Sequence, residues 1–149
     1  MDRCSEKAIG RRIFMASQAL RNHIQRILKP FDLTSEQLHI LKSIDQQLGR
    51  TQSELCGLAG KSPANVTRIL DRLEKKQLIV RRVNPDDRRS SLVFLTEPGA
   101  ELSSVVSHLF QRLSACIEEN IDTNDMAVVN RVLDQIEANL QKLPEDLGE

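Results

Sequence analysis

The chain has 149 residues, 40% hydrophobic and 28% charged, enough for one compact domain with helical extensions and too apolar for an intrinsically disordered chain. Four Phe with no Trp or Tyr argue against a module that binds single strands by stacking bases on aromatic rings. The formal net charge is +0, but residues 50–90 carry ten Lys/Arg against five Asp/Glu, whereas residues 91–149 carry three against eleven. A basic island beside an acidic C-terminal third is the charge footprint of nucleic-acid binding, with a merely solvated mixed-charge surface as the alternative.

In chain order, Ala8 to Lys29 reads as a long helix, with Ile9, Ile13, Ala16, Leu20, Ile24 and Ile27 recurring every three or four residues and Pro30 as the stop. Thr34 and Gln37 form a capping-box start for a second helix that presents Leu38, Leu41, Ile44 and Leu48 and ends at Gly49. Thr51 with Glu54 starts a short third helix carrying Leu55, Leu58 and Ala59 inward, and Gly60 supplies the turn. A fourth helix opens with Ser62 as cap and Pro63 at the first helical position, where a missing N–H costs nothing; Val66, Ile69, Leu70 and Leu73 are its buried stripe. Leu78–Val83 and Leu92–Leu95 read as two strands joined by the polar turn Asn84-Pro85-Asp86-Asp87-Arg88-Arg89-Ser90.

A fifth helix starts near Thr96 and Gly99 and carries Leu102, Val105, Val106, Leu109, Phe110, Leu113 and Ile117. A sixth follows Asp122 or Thr123, with Val129, Val132, Leu133, Ile136, Leu140 and Leu143 at helical spacing. The expected fold is mainly α with a small β-wing: a winged helix-turn-helix at residues 34–98, between an N-terminal dimerisation helix at 1–33 and C-terminal dimerisation helices at 99–149. The outer helices carry more apolar surface than so small a centre can cover, so the two ends are expected to meet a second copy in a homodimer.

The fourth helix has the chemistry of a major-groove reader. At 100° per residue, Ala64, Arg68, Asp71 and Lys75 point away from the buried stripe, flanked by Lys61, Asn65, Thr67 and Arg72. Asn65 can bond adenine, Arg68 can bond guanine with two prongs, and Ala64 or Thr67 can touch a thymine methyl. Ser62 and the helix N-terminus can receive a phosphate. Asp71 is discordant on such a face and reads as an i to i+4 partner of Lys75. Arg88 and Arg89 at the hairpin tip can reach phosphates or enter the narrow minor groove, with Asp87 orienting an arginine.

The run Val66-Thr67-Arg68-Ile69-Leu70-Asp71-Arg72-Leu73, then Leu78-Ile79, Pro85-Asp86-Asp87-Arg88-Arg89 and Leu95-Thr96-Glu97-Pro98-Gly99, resembles the MarR family of multiple-antibiotic-resistance regulators over about residues 34–100. The resemblance implies an obligate dimer whose winged-helix lobes read an inverted repeat in double-stranded DNA, usually as a repressor. It implies that Arg89 enters the minor groove and that Asp87 holds it. It also implies release by a small, often aromatic or phenolic effector lodged beside the dimerisation helices, for which Arg12, Met15, His23 and His39 are the candidates.

Cys4, Cys56 and Cys116 are too scattered for a disulfide framework or a paired-cysteine zinc site, and His23, His39 and His108 lack metal-ligand spacing, so no metal or cofactor is expected. No metalloprotease His pair, phosphate loop or nucleophile elbow is present, so the chain does not read as an enzyme. Without a signal-peptide pattern or a membrane-length apolar run, it is expected in the cytoplasm. Two alternatives stay open here: a winged-helix protein-interaction module, whose fourth helix should then be apolar or acidic outside, and a redox-sensing regulator using Cys4.

Overall fold

The computed structural model describes residues 8–44 and 46–144. Its elements run α1 (Ile9–Leu28), a 3-10 turn (Lys29–Phe31), α2 (Ser35–Ser43), β1 (Arg50–Thr51), α3 (Gln52–Ala59), α4 (Pro63–Lys75), β2 (Ile79–Val83), β3 (Ser91–Leu95), α5 (Glu97–Ile117) and α6 (Thr123–Leu140). This is the expected mainly helical winged helix-turn-helix with a small sheet. The chain divides into two compact units, Met1–Phe110 and Gln111–Glu149.

In the first unit the core gathers Leu28, Leu38, Ile40, Leu41, Leu55, Val66, Leu70, Leu73, Ile79, Val93 and Val106. The capping boxes at Thr34/Gln37 and Thr51/Glu54 are both formed, and Ser62 caps α4 ahead of Pro63. Gly60 takes a left-handed φ of 59° to end α3, the conformation that lets the chain turn directly into α4.

The antiparallel sheet has the order β1-β3-β2. In β2–β3 pairing, Ile79 lies opposite Leu95, Arg81 opposite Val93 and Val83 opposite Ser91. Side chains alternate along a strand, so Ile79 and Arg81 share the inner face of β2 while Val80 and Arg82 share the outer one. Arg82 accordingly lies over the Phe94 ring, 5.2 Å from its centroid.

The structure departs from the sequence expectation in three places. The second helix stops at Ser43 rather than Gly49: Ile44 is extended, and Leu48 is 76% exposed instead of continuing the stripe. The chain must leave the helix there because Arg50 and Thr51 pair with Val93 and Leu92, a third strand that the sequence reading did not contain. Gly49 sits in that passage with φ +69°, and a Cβ on it would lie 2.8 Å from the Phe94 ring. In α3, Leu58 points outward at 52% exposure, and Cys56 packs against the core instead.

The apolar stripe of α1 is buried only at its C-terminal end; Ile9, Phe14, Met15 and Leu20 stay exposed. In the second unit Ile117, Ile121, Val128, Val129, Val132, Leu133, Leu140 and Leu143 are all exposed. Among the described residues no helix is long and apolar enough to cross a membrane.

Candidate nucleic-acid interface

The α4 helix is held by its apolar stripe, with Val66, Leu70 and Leu73 fully buried and Ile69 nearly so. That fixes the opposite face, where Ala64, Asn65, Arg68, Asp71, Arg72 and Lys75 are exposed and Lys61 and Thr67 are half-buried. Arg68 Nη2 donates to Asn65 Oδ1 at 3.0 Å, so the two prospective base readers share one turn and preset each other's direction. Arg72 and Lys75 lie in the last turn, where the helix dipole favours cations.

Two of the expected residues are already engaged. Thr67 donates to the Pro63 carbonyl at 2.8 Å and accepts from Gln52 Nε2 at 2.6 Å, which braces α3 against α4. Lys61 Nζ lies 2.6 Å from Glu36 on α2. The hydrogen bond from Lys61, then its charge, hold the Glu36 carboxyl below its ordinary range, and Arg68 and Arg72 add weaker pulls in the same direction.

At the tip of the wing, Asp87 Oδ1 accepts from the Arg89 backbone N–H at 3.0 Å and from Arg89 Nε at 3.4 Å. The Arg89 side chain is nonetheless 94% exposed, so its guanidinium projects from the tip with a tethered base. Arg88 is also exposed. The turn is closed by Asn84 N–H donating to the Ser90 carbonyl at 3.1 Å and Ser90 N–H to the Asp87 carbonyl at 2.9 Å.

The expected Asp71–Lys75 pair is replaced by a tertiary one. Arg81 Nη2 lies 2.7 Å from Asp71 Oδ1, and Arg81 Nη1 lies 3.0 Å from Glu74 Oε2. Local spacing offered Lys75 as the nearest cation, but the inner face of β2 brings a forked donor that can hold both acids of α4. Sequence reading also missed Gln52 and Glu36 as supports. The signal for Arg81 was present in Ile-Val-Arg-Arg-Val: an alternating strand that turns one arginine inward needs acids to receive it.

The sequence model of the MarR family matches residues 33–91. An uncharacterized HTH-type transcriptional regulator of Bacillus subtilis (strain 168), YhbI, is 31% identical over 97% of this chain and 96% of its own length. The chain belongs to the MarR family. The multiple antibiotic resistance protein MarR of Escherichia coli (strain K12) is 31% identical over 86% of this chain and 90% of that protein. A mutant E. coli MarR crystallised with operator DNA superposes with a TM-score of 0.75 at 30% identity, over 91% of this chain and 99% of that one. MarR-family proteins are transcriptional regulators rather than enzymes.

In this MarR-family regulator the four effector candidates do not converge. Arg12 and Met15 are exposed on α1, the His23 ring pairs with Arg26 at 3.2 Å, and His39 Nε2 lies 3.4 Å from the Leu58 carbonyl oxygen. None of them lines the cavity of about 860 Å³ formed by the end of α1, the start of α2 and the last turn of α4, whose walls include Leu28, Leu33, Gln37, Arg72, Lys75 and Lys76. Lys76 is tied there to the backbone carbonyl and the carboxylate of Asp32. Cys56 is half-buried, Cys116 is exposed and both are free thiols, while Cys4 lies outside the described residues. Among the described residues no group of three or more His, Cys, Asp or Glu could hold a metal ion.

Proposed function

We propose that this MarR-family regulator acts in the cytoplasm as a homodimer that binds an inverted repeat in duplex DNA and represses transcription until a small aromatic or phenolic ligand releases it. The observation that carries the reading is the pair of basic projections on one unit: Arg68 with Asn65 on the exposed face of α4, and Arg89 at the tip of the wing. One projection suits a major groove and the other the adjacent minor groove. A merely amphipathic surface helix would not be accompanied by a tethered arginine on a neighbouring hairpin.

In the proposed complex, two α4 helices related by a two-fold axis enter successive major grooves about 10 base pairs apart. Asn65 and Arg68 read base edges, with Ala64 and the Thr67 methyl against thymine. Lys61, Arg72, Lys75 and Arg88 meet phosphates, and Ser62 at the N-terminus of α4 receives another. Lys61 must leave Glu36 to do so. The exposed apolar rows of α1 and α6 supply the dimer contact, since a monomer rarely leaves so many large side chains in water. An occupant of the cavity beside Arg72 and Lys75 would press on the last turn of α4. Release then requires that it bind the off-DNA arrangement more tightly.

Selection of duplexes from a random pool by the purified protein, with sedimentation of the complexes, tests the reading. The expected outcome is a motif with two-fold symmetry bound by two chains. A folded dimer that enriches no sequence would refute it and favour a protein-interaction role.

A further inference from the structure

We infer that Arg81 is a positioning residue for DNA binding that masks Asp71 and Glu74, the two carboxylates α4 would otherwise present beside its reading face. The inference rests on the DNA-binding reading. Its starting point is a contradiction in the sequence: a helix built to approach a polyanion carries an acid between Arg68 and Lys75, and a second one a turn further along. Each uncompensated carboxylate there lowers the local potential that draws phosphates in. Neither acid is neutralised within α4.

The compensation comes from the wing. Alternation along β2 turns Arg81 to the inner face, where its side chain is 24% exposed, while Arg82 on the outer face covers Phe94. The guanidinium forks between Asp71 Oδ1 at 2.7 Å and Glu74 Oε2 at 3.0 Å. The Arg81 backbone N–H adds a bond to Glu74 Oε1 at 3.4 Å, and Nη2 reaches the Thr67 carbonyl at 3.5 Å. A planar fork presents separate, fixed donors to two carboxylates at once, a geometry that the single ammonium of a lysine does not reproduce. With both acids tied to Arg81, one of their two negative charges is offset and both carboxylates are held toward β2, although Asp71 and Glu74 keep side-chain exposures of 57% and 41% beside Arg68, Arg72 and Lys75.

Anisotropy titration of a selected operator duplex, at low and high salt, separates masking from simple bracing. Arg81→Gln should weaken operator binding about tenfold at low salt, with the deficit shrinking as salt screens the exposed acids. The triple change Arg81→Gln, Asp71→Asn, Glu74→Gln should return affinity to within about twofold of wild type although the tether remains cut, which a purely structural role would not permit. A triple variant as weak as Arg81→Gln, or an Arg81→Gln variant that binds like wild type, would overturn the inference. Should Arg81→Gln fail to fold by circular dichroism, the pair Asp71→Asn, Glu74→Gln retains Arg81 and should bind at least as tightly as wild type; weaker binding would overturn the masking role. Wild-type protein that binds no duplex would sink the DNA-binding reading itself, a result distinct from all of these.

Discussion

Gly99 and Gly57 both lie within helices, yet alanine should act on them with opposite sign. A Cβ on Gly99 would stand 1.9 Å from the Leu78 carbonyl oxygen and 2.9 Å from its carbon, against backbone that cannot swing aside. That carbonyl accepts from Thr96 N–H at 3.1 Å, and Thr96 Oγ1 donates to the Gln77 carbonyl at 2.6 Å while accepting from Gly99 N–H at 3.1 Å. Relieving the clash therefore pries the start of α5 from the turn that precedes β2. Overpacking costs about 1–3 kcal/mol and the three weakened hydrogen bonds about 1 kcal/mol each, against a helix-propensity gain of about 1 kcal/mol, leaving Gly99→Ala destabilised by about 3–5 kcal/mol. Gly57 has nothing within 4 Å of its ideal Cβ, so Gly57→Ala keeps only the propensity gain of up to about 1 kcal/mol. Thermal midpoints at equal protein concentration should fall for the first and rise for the second, at about 2–4 °C per kcal/mol for a chain of this size. Shifts of the same sign would refute the reasoning.

Other perturbations test other parts of the account. Thr34→Ala removes the side-chain acceptor for Gln37 N–H, a 3.1 Å bond, and should cost about 1 kcal/mol in urea denaturation. The lowered Glu36 carboxyl stabilises the fold above the ordinary glutamate range and ceases to do so as pH falls through its depressed folded value. The midpoint difference between wild type and Lys61→Met should accordingly be present at neutral pH and vanish in acid. Leu133→Asp on α6 places a charge on a side chain that is 38% exposed in the single chain, so sedimentation should report dissociation toward monomer with helical content retained; an intact dimer would contradict the proposed contact.

The helix-turn-helix was legible because its determinants are local. Ser62 followed by Pro63 marks the start of α4, and the Val66/Ile69/Leu70/Leu73 spacing fixes which side is buried. The polar turn from Asn84 to Ser90 between two alternating segments announces the hairpin in the same way. What escaped depends on contacts between distant residues. Two residues, Arg50 and Thr51, are too few to carry an alternation, and their pairing with Leu92 and Val93 ends α2 early and exposes Leu48. Asp71 illustrates the same limit at the candidate site. Its local partner by spacing was Lys75, and its actual one is ten residues away on a strand. The effector side was least legible, because Arg12, Met15, His23 and His39 stay apart from the cavity beside α4, which is lined by residues whose sequence pattern is that of ordinary helix ends.

The most direct test of the central claim is titration of one inverted-repeat duplex and its single-base-pair variants with wild type, Arg68→Ala and Arg89→Ala across a salt series. Wild type should bind with steep salt dependence, and Arg89→Ala with a shallower slope and uniform weakening. Arg68→Ala should lose about 1–3 kcal/mol confined to particular base pairs. Binding that ignores salt, or that survives both substitutions unchanged, would contradict that claim.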